Sequence, residues 1–449
     1  MAFHTIEENM ERKSLYCYAA AMLLGFLGTA IPLAAQATIN MAGMENSVGF
    51  LSSGTSIQPK VTSESESMIH TSLGNWTFMF HANAFVVDTQ QSGPRGRDKF
   101  YSANWLMPAI SRQFGRHSAT LRTMLSLDPI TVTKRRYPEL FQSGETAYGL
   151  PIVDGQHPHD LLMEISGRYD FKLNDKTQVF VYGGPLGEPA LGPTAFPHRA
   201  SASENPAAVL GHHQEDSTHL SSSVITVGLT GGPLQLEAST FHGREPNENR
   251  WNIDGGRPDS FSSRLTLAAN SNFSGQISIG RINSREALEP NMDTLRTTAS
   301  IHHNKRFSSG HFSTSLIWGR NKDLVSHGAR IFNAYTAEST IHFLSHNWAW
   351  TRIENVDRDR TLLLGETRAA LQAEEEPIGR VQAYTFGYER DLPVGISSVN
   401  VGLGTQVTAY SLTSQMKTVY GDRPVGFSVF LRIRPAGNVA QHMQQMHQH

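Results

Sequence analysis

Imidazoles and carboxylates gather at two places inside this chain, and imidazoles gather with thioethers at its end. The first place is Gly155-Gln156-His157-Pro158-His159-Asp160, two imidazoles and a carboxylate within four positions. In the second, His198-Arg199 is followed by Gly211-His212-His213-Gln214-Glu215-Asp216-Ser217-Thr218-His219. Neutral imidazole with carboxylate suits zinc, copper, nickel or iron. His157, His159, Asp160, His198, His212, His213, Asp216 and His219 are therefore candidate ligands if the two stretches converge. Their spacing fits neither the helical pair of a metalloprotease nor a finger motif. The simpler reading is that they brace their loops by hydrogen bonds and salt bridges. At the end, His442-Met443-Gln444-Gln445-Met446-His447-Gln448-His449 offers three imidazoles and two thioethers. That is a soft and borderline set, and it nominates His442, Met443, Met446, His447 and His449 for copper, silver or another transition-metal ion. Asp216-Ser217-Thr218-His219 holds the residue types of a hydrolase. Neighbours on one segment do not make a triad, however, and no nucleophile-elbow glycines surround any serine.

What must position these groups is legible in residues 261–282. Leu265 and Leu267 alternate with Arg264 and Thr266, then Ile277 and Ile279 alternate with Gln276 and Ser278, across a turn at Asn270-Ser271-Asn272. A period of two on either side of turn-forming residues is a β-hairpin with one oily and one wet face. Each arm is about ten residues, the length a tilted strand needs to cross a bilayer. The pattern recurs from residue 76 to residue 434 and ends in Val425, Phe427, Val429, Leu431 and Ile433 alternating with Ser428, Arg432 and Arg434. The expected fold is all-β: a transmembrane, antiparallel, up-and-down barrel of about sixteen strands. Connections alternate between long and short, so the long loops fall outside the cell and the short turns in the periplasm. The two longest patternless stretches, 128–160 and 184–217, carry the histidines.

The wet faces carry charge of both signs. Arg122, Glu164, Arg168, Asp170, Glu237, Arg264, Arg296, Arg352, Glu354 and Arg432 share parity with polar neighbours and are expected to line the pore. An arginine turned toward lipid near the midplane would cost about 2–4 kcal/mol. Two readings of these charges are compatible. They either set a transverse field in a diffusion channel or pair across strands and brace the wall.

The remainder of the chain is read by composition. A formal charge of −2 and a pI of 6.9 provide no field for nucleic acid. Arg12 and Lys13 precede an apolar run and Ala35-Gln36-Ala37, the pattern of a secretory signal peptide over residues 1–37. The single cysteine, Cys17, falls within it, which leaves no thiol chemistry in the mature chain. Residues 38–74 are expected to be a flexible periplasmic lead-in, 75–434 the barrel, and 435–449 a His/Met-rich periplasmic tail. The destination is the bacterial outer membrane. The partners are its lipid, periplasmic chaperones and barrel-assembly machinery, with small solutes or metal ions passing or binding.

Gly93-Pro94-Arg95-Gly96, Gly144-Glu145-Thr146, the run 153–160, Ala195-Phe196-Pro197-His198-Arg199, Gly211-His212-His213 and Gly243-Arg244-Glu245-Pro246 together carry a resemblance. On these motifs the chain resembles a family of porin-like bacterial outer-membrane β-barrels. That resemblance implies the barrel fold and a link to copper or heavy-metal handling. The function expected is a passive, porin-like pore, with service in metal homeostasis as its possible use. The alternative is a copper-type metal-binding protein whose barrel is an anchor, with an outer-membrane hydrolase behind both.

Overall fold

In the computed structural model of the chain, residues 53–62, 68–325, 328–366, 378–396 and 398–437 are described. The expected signal sequence and the tail candidates His442, Met443, Met446, His447 and His449 lie outside them. The strands are β1 (Met68–Leu73), β2 (Trp76–Gln91), β3 (Lys99–Phe114), β4 (His117–Leu125), β5 (Tyr137–Ala147), β6 (Leu150–Gln156), β7 (Leu162–Asn174), β8 (Thr177–Gly187), β9 (Ser221–Gly231) and β10 (Leu234–His242). They continue as β11 (Ser260–Leu267), β12 (Phe273–Ile282), β13 (Asp293–Phe307), β14 (Gly310–Val325), β15 (Gly328–Phe343), β16 (Asn347–Asp359), β17 (Ile378–Leu392), β18 (Val399–Leu412) and β19 (Val425–Pro435).

Sixteen of these, β2–β4 and β7–β19, pair antiparallel with their sequence neighbours and close into a barrel. Closure comes where β19 meets β2, from Gly426 opposite Gln91 to Ile433 opposite Ala84. β1 lies along the other half of the same edge of β2, with Met68 opposite His81 and Leu73 opposite Trp76. Closure satisfies every edge, which a wall in hydrocarbon requires.

The alternation decides which face is oily. On β11 and β12, Phe261, Leu265, Ile277 and Ile279 are exposed on the outside, whereas Ser262, Arg264, Thr266, Gln276 and Ser278 are buried within. The same split holds on β9 and β10, where Val227, Leu229 and Leu236 face out while Thr226, Gln235 and Glu237 face in. Oil lies outside and polar groups inside, the reverse of a soluble sandwich.

Connections at one rim are tight, such as Gly115-Arg116 and Gly232-Pro233. At the other rim they span 126–161, 188–220, 243–259 and 283–292. β14 and β15 depart from this alternation: they extend past the expected loop and are joined through residues 326–327 alone. The stretch 128–160, which shows no periodicity in sequence, contains β5 and β6, a hairpin separate from the wall. It has no visible pattern because Glu139, Leu140, Phe141 and Gln142 are buried in succession, so neither face is wet.

Ile277, 59% exposed in the middle of the outer face, gives the direct check. Ile277→Arg should destabilise the bilayer-inserted barrel by about 2–4 kcal/mol in reversible urea unfolding, whereas Ile277→Val should be near neutral.

Candidate functional site

The segment 188–220, between β8 and β9, turns into the barrel. Every residue from 186 to 199 and from 208 to 218 is buried. Backbone taken out of water must be hydrogen-bonded elsewhere, and the inward charges of the wall provide the partners. Arg264 on β11 donates to the Gly192 carbonyl at 2.9 Å. Arg296 on β13 donates to the His213 carbonyl at 2.6 Å and to Ser217 Oγ at 3.0 Å. Arg352 on β16 donates to the carbonyls of Ala207 and Ala208 at 3.2 and 3.1 Å. Glu354 accepts from the backbone amides of Leu210 and Gly211. The loop's own Arg199, fully buried, bridges Asp216 at 2.8 Å and Glu338 of β15 at 2.6 Å. Arg432 on β19 pairs with Glu204 of the loop.

The remaining candidates of the expected pore lining bond to the wall or to other inserted groups. Arg122 pairs with Glu164 at 2.8 Å, Arg168 with Asp170 at 2.9 Å, and Arg264 with Glu237 at 2.9 Å. Nine of the ten are buried, and Arg168 is half-buried. Arg122 with Glu164 and Arg264 with Glu237 pair across strands of the wall, and Arg122, Arg264, Arg296, Arg352, Glu354 and Arg432 also grip chain that fills the lumen.

Residues 53–62 are the second filling. This stretch, expected as part of a flexible lead-in, is instead largely buried inside the barrel, and β1 follows it in the wall. Arg122 donates to the Gly54 carbonyl, Arg264 to Thr55 Oγ1 and Gln235 to the Thr55 carbonyl, each at 2.9 Å. Gln58 donates to the His198 carbonyl and accepts from the Ala200 amide, so the two fillings bind one another. This polar, non-alternating stretch carries no strand signal because its partners are side chains rather than a neighbouring strand.

The histidines of the two loops do approach. The rings of His157 and His213 are 6.1 Å apart, those of His159 and His219 6.1 Å, and those of His212 and His219 5.0 Å. Several have taken carboxylate partners: His157 with Glu145 at 3.0 Å, His159 with Asp128 at 2.9 Å, and His212 with Asp216 at 2.5 Å. Asp160 pairs with Arg250 at 3.1 Å. His198 lies apart, its Nε2 3.4 Å from Met124 Sδ and its ring against Trp105. Burial, then the His212 imidazole and the Arg199 guanidinium, act in opposite senses on Asp216, and these two partners prevail to hold its carboxyl well below the usual range. Ser217 Oγ faces Glu245 and Arg296, while His219 Nδ1 faces the Asp216 carbonyl. No serine–imidazole relay joins these two residues.

One side chain from this set meets groups that no sequence motif for metal binding contains. His213, Glu245 and Glu286 each present an atom within 4.8 Å of the other two. Glu245 and Glu286 belong to 243–259 and 283–292, loops far from the histidine motifs in sequence. In sequence, Gly243-Arg244-Glu245-Pro246 carries weight only as a family motif. Burial lowers the His213 pKa to about 4, so its imidazole is neutral at physiological pH.

Filling leaves a small pocket on one side of the lumen, about 40 Å3 in volume. Ala207, Ala208 and Leu210 of the loop and Tyr137 and Glu139 of β5 border it on one flank. Thr89, Thr385, Gln406, Thr408 and Ser428 of β2, β17, β18 and β19 form the other. Of the ten expected pore-lining residues, Arg352 and Glu354 border this space.

No family model and no curated protein matches the chain. Among solved structures it is similar to an anion-selective porin from Comamonas acidovorans, at TM-score 0.48 and 10% identity over 80% of this chain and 99% of that one. It is also similar to Salmonella typhi OmpF in complex with daunomycin, at TM-score 0.46 and 8% identity over 81% and 100%. The outer-membrane channel DcaP of Acinetobacter baumannii follows at 0.42 and 10%, over 79% and 97%. The assignment of the fold rests on this chain's own strand pairing.

Removing Arg199 would leave Glu338 and Asp216 buried with their shared cation gone. Arg199→Ala should destabilise the inserted loop by about 3–5 kcal/mol. The barrel should still run as a heat-modifiable band on gels, but protease should cut within 188–220 much faster than in the wild type.

Proposed function

We propose that the chain is a porin-like channel of the bacterial outer membrane, passing small hydrophilic solutes beside an inserted loop. The observation that carries this reading is the polar pocket between that loop and the β17–β19 and β2 side of the wall. The oily outer belt supports the membrane setting. Thr, Ser and Gln side chains offer a permeating solute donors and acceptors without a fixed strong field. The loop 188–220 sets the width of the path, and residues 53–62 narrow the opposite side. The long-loop rim faces outside the cell and the tight-turn rim the periplasm, in keeping with the asymmetry of bacterial barrels.

Full-length protein in a planar bilayer should give small, steady unitary conductance. Deleting residues 53–62 should raise it severalfold, provided the variant still shows heat-modifiable mobility. A barrel that serves only as an anchor would conduct in neither form, and that result would sink the channel reading.

Glu139 adds a pH signature. Burial, then the nearby Glu354, push its carboxyl up to about 8, against the opposing pull of Arg352 and Arg358. A raised pKa keeps the group neutral at pH 7 and ionises it as pH rises through about 8. Reversal potentials in a salt gradient should therefore shift toward cation preference between pH 7 and pH 9. Glu139→Gln should lose that component of the shift.

A further inference from the structure

The junction of His213, Glu245 and Glu286 is built from three loops that leave three different strand pairs of the wall. Their positions are fixed from several sides. The His213 carbonyl accepts from Arg296 at 2.6 Å and from Asn321 at 2.8 Å. The Glu245 amide donates to the Arg285 carbonyl at 3.1 Å, which sets loop 243–259 against loop 283–292. Gly144, with φ at +140°, lies so close to the His213 ring that a Cβ there would overlap the imidazole.

Although the ring is held, its chemistry is unused. His213 is 5% exposed, and neither ring nitrogen has a hydrogen-bond partner. Glu245 Oε1 lies 3.4 Å from Nδ1 without hydrogen-bond geometry, and Glu245 Oε2 is likewise buried without a partner. Orphaned polar atoms in a buried site cost about 1–3 kcal/mol each, so a ring nitrogen and a carboxylate oxygen left without partners at one junction call for a shared occupant.

We propose that His213, Glu245 and Glu286 form a binding site for a divalent transition-metal ion of the zinc class. One borderline nitrogen and two carboxylates suit such an ion and leave a coordination position for water. The neutral imidazole presents its lone pair without first losing a proton. Arg285 is the competing group, with Nη1 2.9 Å from Glu286 Oε1 and 3.5 Å from Glu245 Oε1. Each carboxylate has a second oxygen, and the ion takes Glu245 Oε2 while the guanidinium keeps Oε1. The ion would staple three loops over the filled lumen. The site needs only the folded barrel, so it stands or falls independently of conductance.

Calorimetric titration of zinc chloride into the full-length, detergent-folded protein tests it, with the His/Met tail retained in every variant. The wild type should bind one more equivalent than His213→Ala or Glu286→Gln. In the variants that component should weaken beyond the roughly 10- to 100-fold that loss of a mere supporting group costs. Zinc should also slow tryptic cleavage within 243–259 in the wild type but not in the variants. Identical isotherms for all three proteins would assign the binding to the tail and overturn the site. Should His213→Ala fail to fold, the conservative change at half-buried Glu286 decides the matter alone.

Discussion

A guanidinium inside a closed wall has nowhere to send its charge except to a partner inside the same wall, and the architecture of this barrel follows from that. Hydrocarbon on the outer face forbids the arginines from turning outward. Burial on the inner face makes an unpaired cation costly. The two constraints are met together when chain from a loop is drawn inward and its carbonyls and carboxylates complete the guanidinium forks. Arg264 at Gly192, Arg296 at His213, Arg352 at Ala207 and Ala208, and Arg432 at Glu204 are four repetitions of this one solution. Conversely, backbone of 188–220 buried away from water needs donors, and arginine supplies several on one stem. Wall and filling are thus specified by each other.

This mutual dependence explains what the sequence discloses and what it hides. Direction is legible: residues two apart share a solvent, so alternation alone sends Leu265 and Ile277 to lipid and Arg264 and Gln276 to the lumen. The number of strands and their antiparallel order follow from counting such segments. What the inward charges do is not legible, because alternation shows that Arg296 points inward but says nothing of what it meets there. Residues 53–62 and 137–156 escape sequence reasoning for a related cause. Buried over much of their length, they have no continuous wet face for a period to reveal, and Gln58 or Glu139 reads in sequence like any loop residue.

The histidine loops show the same limit at finer scale. Composition flags His157, His159, His212, His213 and His219, and the fold does bring their rings together in pairs. Yet most are already engaged: His159 by Asp128 and His212 by Asp216, partners that hold a ring in place. Only proximity in space sets His213 apart, since Glu245 and Glu286 come from loops with no histidine motif of their own. A cluster assembled across three connections leaves no spacing for a sequence pattern to match.

The inner face of the wall is also uneven around its circumference, and that unevenness determines where open space remains. From β4 through β16 the inward positions include Arg122, Arg264, Arg296, Glu338, Arg352 and Glu354, long side chains that reach across and hold the filling. Around the pocket, β17, β18, β19 and β2 present Thr385, Gln406, Thr408, Ser428 and Thr89, which are short or uncharged, while the grips of this arc on the loop, Arg432 with Glu204 and Asn83 with the Ser203 carbonyl, are made by residues that do not border the pocket. Between such grips, space remains where the inward side chains are too short to reach the filling. The pocket lies there, with Arg352 and Glu354 at its margin, and its position is therefore a consequence of a gap between long charged residues, rather than of any residue selected to line it.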